Sequence, residues 1–277
     1  MRPATSARAR TAITSTEGRR QGDGDVLRLL REGELEVIGR LIGSSNNAMV
    51  VRVWPPPSGD APAPVGFGRP LEGGDLLAVL KPTAGERPLF DFPIGTLTRR
   101  EVAAWLVSEA MGWGIVPPTV LRDGPFGEGM VQRWIDADPD ADVIAMVNDD
   151  DPRLRRVAVF DAVINNTDRK AGHLLPVPGG HLFAVDHGVT FSVVPKLRTV
   201  LWAWEGEEFD AAERAALARV SDGLGKGAVP GPLAVALSEL LSLEEIEATR
   251  ARVAELLATN RFPGPNPDWP AIPWPPY

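Results

Sequence analysis

Prolines and glycines set the tightest limit on what this chain can fold into, because they cut its first half into short apolar runs. LEVIGRLIGSSNNAMVVRVW reads as two β-rich runs around Gly43-Ser44-Ser45-Asn46-Asn47, residues suited to a hairpin tip. PPPSGDAPAPVGFGRPLEGG, residues 55–74, is too rich in proline and glycine for anything but a loop. DLLAVLKP, 75–82, is a strand stopped by Pro82, and GMVQRWID, 129–136, is another. Residues 26–32 form a short amphipathic turn or helix. The spacing of Val102, Leu106, Ala110 and Met111 predicts one longer helix over 98–114, with Thr98 as N-cap and Gly112 or Gly114 as its stop. From DPRLRRVAVFDAVINN onward the pattern turns helical, including 208–220 and 243–260. The tail RFPGPNPDWPAIPWPPY cannot be helix or central strand, since proline fixes φ and lacks a donor. Its two tryptophans are expected to pack it against the body. A strand-rich half followed by a helix-rich half predicts an α+β, two-lobed protein with a cleft between the lobes. The expected divisions are a disordered extension over 1–24, an N-lobe over 25–136, a C-lobe over 137–261 and the tail over 262–277.

Composition narrows the function classes. With 277 residues and 44% hydrophobic content the chain can bury a large core. A net charge of −8 argues against a nucleic-acid binder and against tight adsorption to anionic membranes. The absence of cysteine removes disulfides, thiolate nucleophiles and thiolate metal sites, and is consistent with a reducing cytoplasm. No run approaches the ~18 apolar residues of a membrane span. The first twenty residues are rich in Arg, Ser and Thr but lack the apolar stretch of a signal peptide, which leads to the reading as a disordered extension.

Four positions carry candidate chemistry. Lysine is scarce, yet Lys81 ends an apolar strand, where it either binds phosphate beside Glu101 of the next helix or reaches out to solvent. Asp168 follows Asn165-Asn166-Thr167, a sequence fit for a tight loop, and a carboxylate there can take a proton from an attacking hydroxyl. Arg169 beside it can hold the loop or neutralise a phosphate. Asp186 ends an apolar run, FAV, and precedes His187-Gly188; the glycine would free the backbone to turn and present Asp186 to a metal. A Gly/Ser turn, a strand lysine, a helix glutamate, an Asp-Arg loop and an Asp-x-Gly occur in the order that phosphoryl transfer requires, where positioning and charge neutralisation do most of the work.

That order resembles the phosphatidylinositol 3-/4-kinase catalytic family, most closely the type II phosphatidylinositol 4-kinases, and an uncharacterised actinobacterial branch of that family. IGSSNNAMVV is similar to their phosphate loop, AVLKP to their lysine strand, and GMVQRWID to their hinge. INNTDRKAGHLL resembles their catalytic loop, FAVDHGVTF their metal-binding motif, and LWAW a Trp-rich segment after it. The resemblance spans roughly residues 38–205. It implies a protein-kinase-like fold and an ATP-dependent phosphotransferase using Mg²⁺ or Mn²⁺. It implies Lys81 on the phosphates, Glu101 orienting it, and Ser44 and Ser45 near the phosphates. Adenine would meet Gln132, Arg133, Trp134 and Ile135, Asp168 would be the catalytic aspartate, and Asp186 a metal ligand. The family has an asparagine five residues after the catalytic aspartate, and this chain has His173. Imidazole suits Mn²⁺ or softer ions better than Mg²⁺, so His173 binds a different metal, contacts phosphate, or leaves a metal site weakened. His187 is expected to pack rather than ligate, and His181 to lie exposed in a Gly-rich turn. Lys196 and Arg198 either recognise an anionic acceptor or are surface charges. The family's Cys-rich palmitoylation segment has no counterpart, so the expected acceptor is a protein or small polar molecule rather than a lipid. The alternatives are a catalytically weak nucleotide-binding scaffold and a phosphatidylinositol kinase.

Overall fold

The computed structural model describes residues 24–41, 46–56, 74–227 and 229–277. Ser44 and Ser45, the extension 1–23 and most of the 55–74 loop lie outside the described residues. A short helix α1 over residues 24–32 leads into a five-stranded antiparallel sheet. Its strands are β1 (Glu34–Arg40), β2 (Met49–Trp54), β3 (Leu76–Pro82), β4 (Thr119–Gly124) and β5 (Gly127–Arg133), in spatial order β1-β2-β3-β5-β4. The sheet and the helical half that follows it give the expected two-lobed α+β architecture.

Between β3 and β4 runs helix α2 (Leu97–Met111). The sequence spacing suggested one apolar face, but eleven of its fifteen residues are buried, including Arg100, Glu101 and Ser108. The helix has this burial because it contacts β4 and β5 on one side and the C-terminal helices on the other. A helix enclosed in this way must satisfy its polar residues internally. Arg100 donates to Thr190 O (2.7 Å) and pairs with Glu245 (2.5 Å), while Ser108 Oγ accepts from Val116 N (3.0 Å). The N-cap is Thr96 rather than Thr98. Glu86 reaches over from the preceding loop and accepts from both the amide (2.8 Å) and the hydroxyl (3.0 Å) of Thr98, so a carboxylate distant in sequence serves the helix start. Gly112, at φ 73°, closes the other end as expected.

The helical half comprises α3 (Val143–Asn148), α4 (Leu154–Ile164), α5 (Ala211–Leu224), α6 (Pro232–Leu237) and α7 (Leu243–Thr259). Asp210 and Ser242 begin α5 and α7, each with a reciprocal capping box to the glutamate three residues on. A two-stranded hairpin, β6 (Leu174–Pro176) and β7 (Leu182–Ala184), follows the loop after α4, and the short β8 (Gly225–Lys226) and β9 (Val229–Pro230) follow α5. One core joins α2 to the helical half through Met111, Leu154, Phe160, Leu217 and Leu256. A smaller one lies under the sheet around Val51, Val53, Leu80 and Val131. Of the tail's two tryptophans, Trp269 packs over Lys196 (5.4 Å), but Trp274 is 88% exposed, contrary to expectation. No helix among the described residues is long and apolar enough to cross a membrane.

The backbone of β3 leaves no room for a side chain at Gly129 of β5, beside Lys81. Gly129 pairs with Pro82, and a Cβ added at Gly129 would sit 2.7 Å from Lys81 O. Gly129→Ala should therefore shift backbone and cost about 1–3 kcal/mol in urea unfolding. Gly39→Ala, which meets nothing within 4 Å, should stay within about 0.5 kcal/mol.

Candidate active site

The register of β3 against β5 points Lys81 into the cleft between the sheet and the helical half. That cleft has a volume of about 710 Å³, in the range of small-molecule sites. Lys81 Nζ lies 2.5 Å from Glu101 Oε1 and 2.8 Å from Asp186 Oδ1. Burial opposes the Lys81 charge, but Asp186 and Glu101 outweigh it and raise its pKa, so the ammonium is firmly protonated. The Lys81 charge, working against burial, holds Asp186 well below the usual carboxylate range. Burial pushes the Glu101 carboxyl up. Its two oxygens nevertheless accept from the Lys81 ammonium and from the amide of His187 (2.8 Å), donors that only a carboxylate satisfies on both sides, and we describe the trio as ionised.

The loop after α4 carries Asp168. Asn165 ends the helix at φ 50° and takes the left-handed conformation that asparagine tolerates. Its amide donates to Ser192 O (2.9 Å) and Val194 O (2.8 Å), while Asn166 accepts from Asp168 N (3.0 Å) and donates to Asp161 (2.9 Å). Asp168 therefore sits on a loop whose two asparagines are fully engaged. Burial raises the Asp168 pKa against the pull of Lys170 at 3.1 Å and Arg198 at 3.6 Å.

Arg169, offered by the sequence as either a loop anchor or a phosphate contact, is entirely buried. It forms a two-pronged pair with Asp161 of α4 (2.9 Å on both contacts) and also donates to Val185 O (2.9 Å). Its remaining contact, at 2.7 Å, is to His187 Nε2, and the His187 ring stands edge-on to Phe160 at 5.4 Å. Burial and the Arg169 charge drive the His187 pKa well below its ordinary value, so the ring is the neutral acceptor this contact needs. Asp186 itself, not Gly188, adopts the left-handed φ, at 62°. That turn lets one carboxylate face Lys81 and His173 at once.

His173 lines the same cleft, with Nε2 3.5 Å from Asp186 Oδ2, beyond hydrogen-bond range. Its Nδ1 is buried without a partner, and burial lowers its pKa to about 4. A neutral imidazole beside a carboxylate, with a ring nitrogen unengaged, fits a divalent cation. Among the described residues no three His, Asp or Glu side chains converge on one point, so such an ion would draw further ligands from phosphate oxygens and water.

Gln132, Arg133, Trp134 and Ile135 also line the cleft. The Gln132 side chain is committed to Thr119 Oγ1 (2.8 Å) and the Trp134 amide to Leu77 O (2.9 Å). Lys196 is buried, ion-paired with Asp91 and flanked by Phe92 (4.4 Å), so it is neither a surface charge nor free to meet an acceptor. His181 is half-buried and bonded to Gly114 O at 2.9 Å, not simply exposed. Asp161 and Asp91 went unrecognised in the sequence; each lies within or beside an apolar run where a lone acid reads as solvated.

Among curated proteins, Protein Rv2133c of Mycobacterium tuberculosis is 39% identical over an alignment of 284 residues, covering 90% of this chain and 94% of that protein. The chain belongs to the Rv2133c family. No family model matches the sequence. Among solved structures, the Helicobacter pylori proinflammatory kinase CtkA aligns with a TM-score of 0.47 at 11% identity, covering 84% of this chain and 94% of that one.

The buried pair under the loop gives a sharp test. Asp161→Ala leaves Arg169 charged and uncompensated, and should cost about 3–5 kcal/mol in chemical denaturation. Replacing both members, Asp161→Leu with Arg169→Met, should cost less than the single change; a double variant as unstable as the single would refute this account of the pair.

Proposed function

We propose that the chain is an ATP-dependent phosphotransferase, an atypical kinase that transfers a phosphoryl group to a hydroxyl of a protein or small polar molecule. The observation that carries this reading is Lys81 held between Glu101 and Asp186 on one wall of the cleft, with Asp168 on the same cleft. A buried lysine fixed by a helix glutamate is a pre-oriented point charge for phosphate oxygens. Lys81 shares Asp186 as long as no phosphate is present; a nucleotide would draw the ammonium toward its phosphates while Glu101 keeps hold of its other side. The wall from Gln132 to Ile135 would receive the base.

Asp168 is the group suited to take the acceptor's proton. Its raised pKa makes it a better base than an exposed aspartate. In the transfer the bond from the β,γ-bridging oxygen to the γ-phosphorus breaks, and the acceptor oxygen bonds to that phosphorus. The acceptor proton passes to Asp168, and ADP leaves. Lys170 and Arg198 flank Asp168 and would neutralise charge on the moving group. A divalent cation held by Asp186 and His173 would neutralise phosphate charge when bound.

Incubation of the purified chain with ATP and Mg²⁺ or Mn²⁺ should give turnover. Lys81→Met should abolish it, and Asp168→Asn should reduce it about 10²–10⁴-fold while keeping the nucleotide-induced rise in Tm. Binding without turnover, indifferent to Asp168, would instead mark a nucleotide-binding scaffold. His173→Asn should move the metal preference from Mn²⁺ toward Mg²⁺, read as the ratio of turnover in the two metals and of Kd for each ion with nucleotide. An unchanged ratio removes His173 from the metal site.

A further inference from the structure

The segment 262–277 does not simply trail off the fold. It leaves α7, pairs with residues 206–207 (Gly206 N to Phe262 O, 3.1 Å; Phe262 N to Glu207 O, 3.0 Å), and then crosses residues 195–202. Asn266 Nδ2 donates to Pro195 O (2.7 Å), and Trp269 lies over Lys196. Ala271 O accepts from Thr199 N and from Trp202 Nε1, both at 3.0 Å. Finally Pro276 O accepts from Ala171 N at 3.0 Å, three residues beyond Asp168. Beyond Trp269 the body supplies the N–H groups in these contacts and the segment supplies carbonyls, as a proline-dense chain must. The opposite edge of 198–200 bonds the catalytic loop itself, Arg169 N to Arg198 O (3.1 Å) and Val200 N to Arg169 O (3.2 Å). An extended chain is thus laid along an element that borders the Asp168 loop and brought onto the loop between Lys170 and Gly172, both of which line the cleft.

The residue delivered there is Tyr277, the chain's single tyrosine and 56% exposed. Three residues of chain span at most about 10 Å, so Tyr277 is held within about one side-chain length beyond that of Asp168. Resting on the phosphotransferase reading above, we propose that segment 262–277 is laid against the Asp168 loop as an acceptor strand and that the Tyr277 hydroxyl is a phosphoryl acceptor in cis. The γ-phosphorus of ATP bonds to the phenolic oxygen, its bond to the β,γ-bridging oxygen breaks, the phenolic proton passes to Asp168, and ADP departs. Phosphotyrosine would then carry charge near Lys170 and Arg198, which makes the seating of the segment dependent on turnover.

The test uses the full chain with ATP and Mn²⁺ or Mg²⁺, intact mass, and peptide mapping of the phosphorylated product. The expected result is one phosphoryl group on the peptide ending in Tyr277, with a first-order rate independent of protein concentration. That label should fall at least about 100-fold in Asp168→Asn and vanish from this peptide in Tyr277→Phe. Turnover with Tyr277 unmodified would overturn the proposal and leave the segment as a brace for the catalytic loop. Labelling whose rate rises with concentration would overturn the cis assignment. A chain that neither binds nor turns over ATP would bring down the phosphotransferase reading itself, an outcome distinct from either.

Discussion

The buried pair of Arg169 and Asp161 is the constraint on which the candidate site depends. Both side chains are wholly excluded from water, where an unpaired charge would cost several kcal/mol. Arg169 has one orientation that satisfies it, and that orientation also fixes Val185 O and His187. One guanidinium therefore sets the loop of Asp168 and the turn of Asp186 relative to helix α4. Such a pair contributes little net stability against an apolar replacement; what it supplies is a single permitted geometry. His187 completes the arrangement, because its amide donates to Glu101 and so extends the same network to α2 and Lys81.

Helix α2 is the second half of this design. It carries Glu101 toward the strand lysine, and one position earlier Arg100 toward Thr190 and Glu245 in the helical half. Adjacent residues on a helix point about 100° apart, so one helix can tie strand β3 and the C-terminal helices together only if it is buried on nearly all sides. This explains why an almost fully enclosed helix keeps four charged or hydroxylic residues, Thr98, Arg100, Glu101 and Ser108, in its interior. The Asp91–Lys196 pair adds a second tie, from the loop before α2 to the segment that borders the Asp168 loop. Movement of α2 would have to break partners at both ends, which makes the placement of Lys81 relative to Asp186 a property of the whole fold.

What could be read in advance followed from range. Strand runs, the hairpin, the helix stop at Gly112, the tight loop of Asn165-Asn166-Thr167, and the order Lys81, Glu101, Asp168, His173, Asp186 are local or collinear signals, and the structure brings those residues together at one cleft. Asp161 was invisible because VFDAVI reads as a helix with one solvated acid; only the partner eight residues on shows that it faces inward. Asp91 and Lys196 are 105 residues apart, and no periodicity connects them. Thr98 looked like a cap because threonine favours that position, yet Glu86 took over from outside the helix. The glycine of Asp-x-Gly suggested where the chain turns, whereas the strained residue is Asp186, held in that conformation by Lys81 and the Arg169 network. Tertiary partners decided each of these cases.

The charge balance of the cleft bears on how an acidic chain would hold the polyanionic substrate proposed for it. Around the site Lys81, Arg133, Lys170 and Arg198 stand against Glu101, Asp136, Asp168 and Asp186, four cations to four carboxylates. Such a site is close to neutral and would hold a nucleotide phosphate chain only weakly by charge alone. Under the proposed reading its carboxylates would become an asset with a divalent cation present, since Asp186 would serve as a ligand and leave Lys81 to the phosphates. The neutral His173 fits this exchange, because a protonated imidazole in the same place would repel the incoming ion. Binding of nucleotide and of metal would accordingly be coupled, each raising the affinity for the other by the same factor. The position at which this chain departs from the kinases it resembles is thus the position best placed to set that coupling.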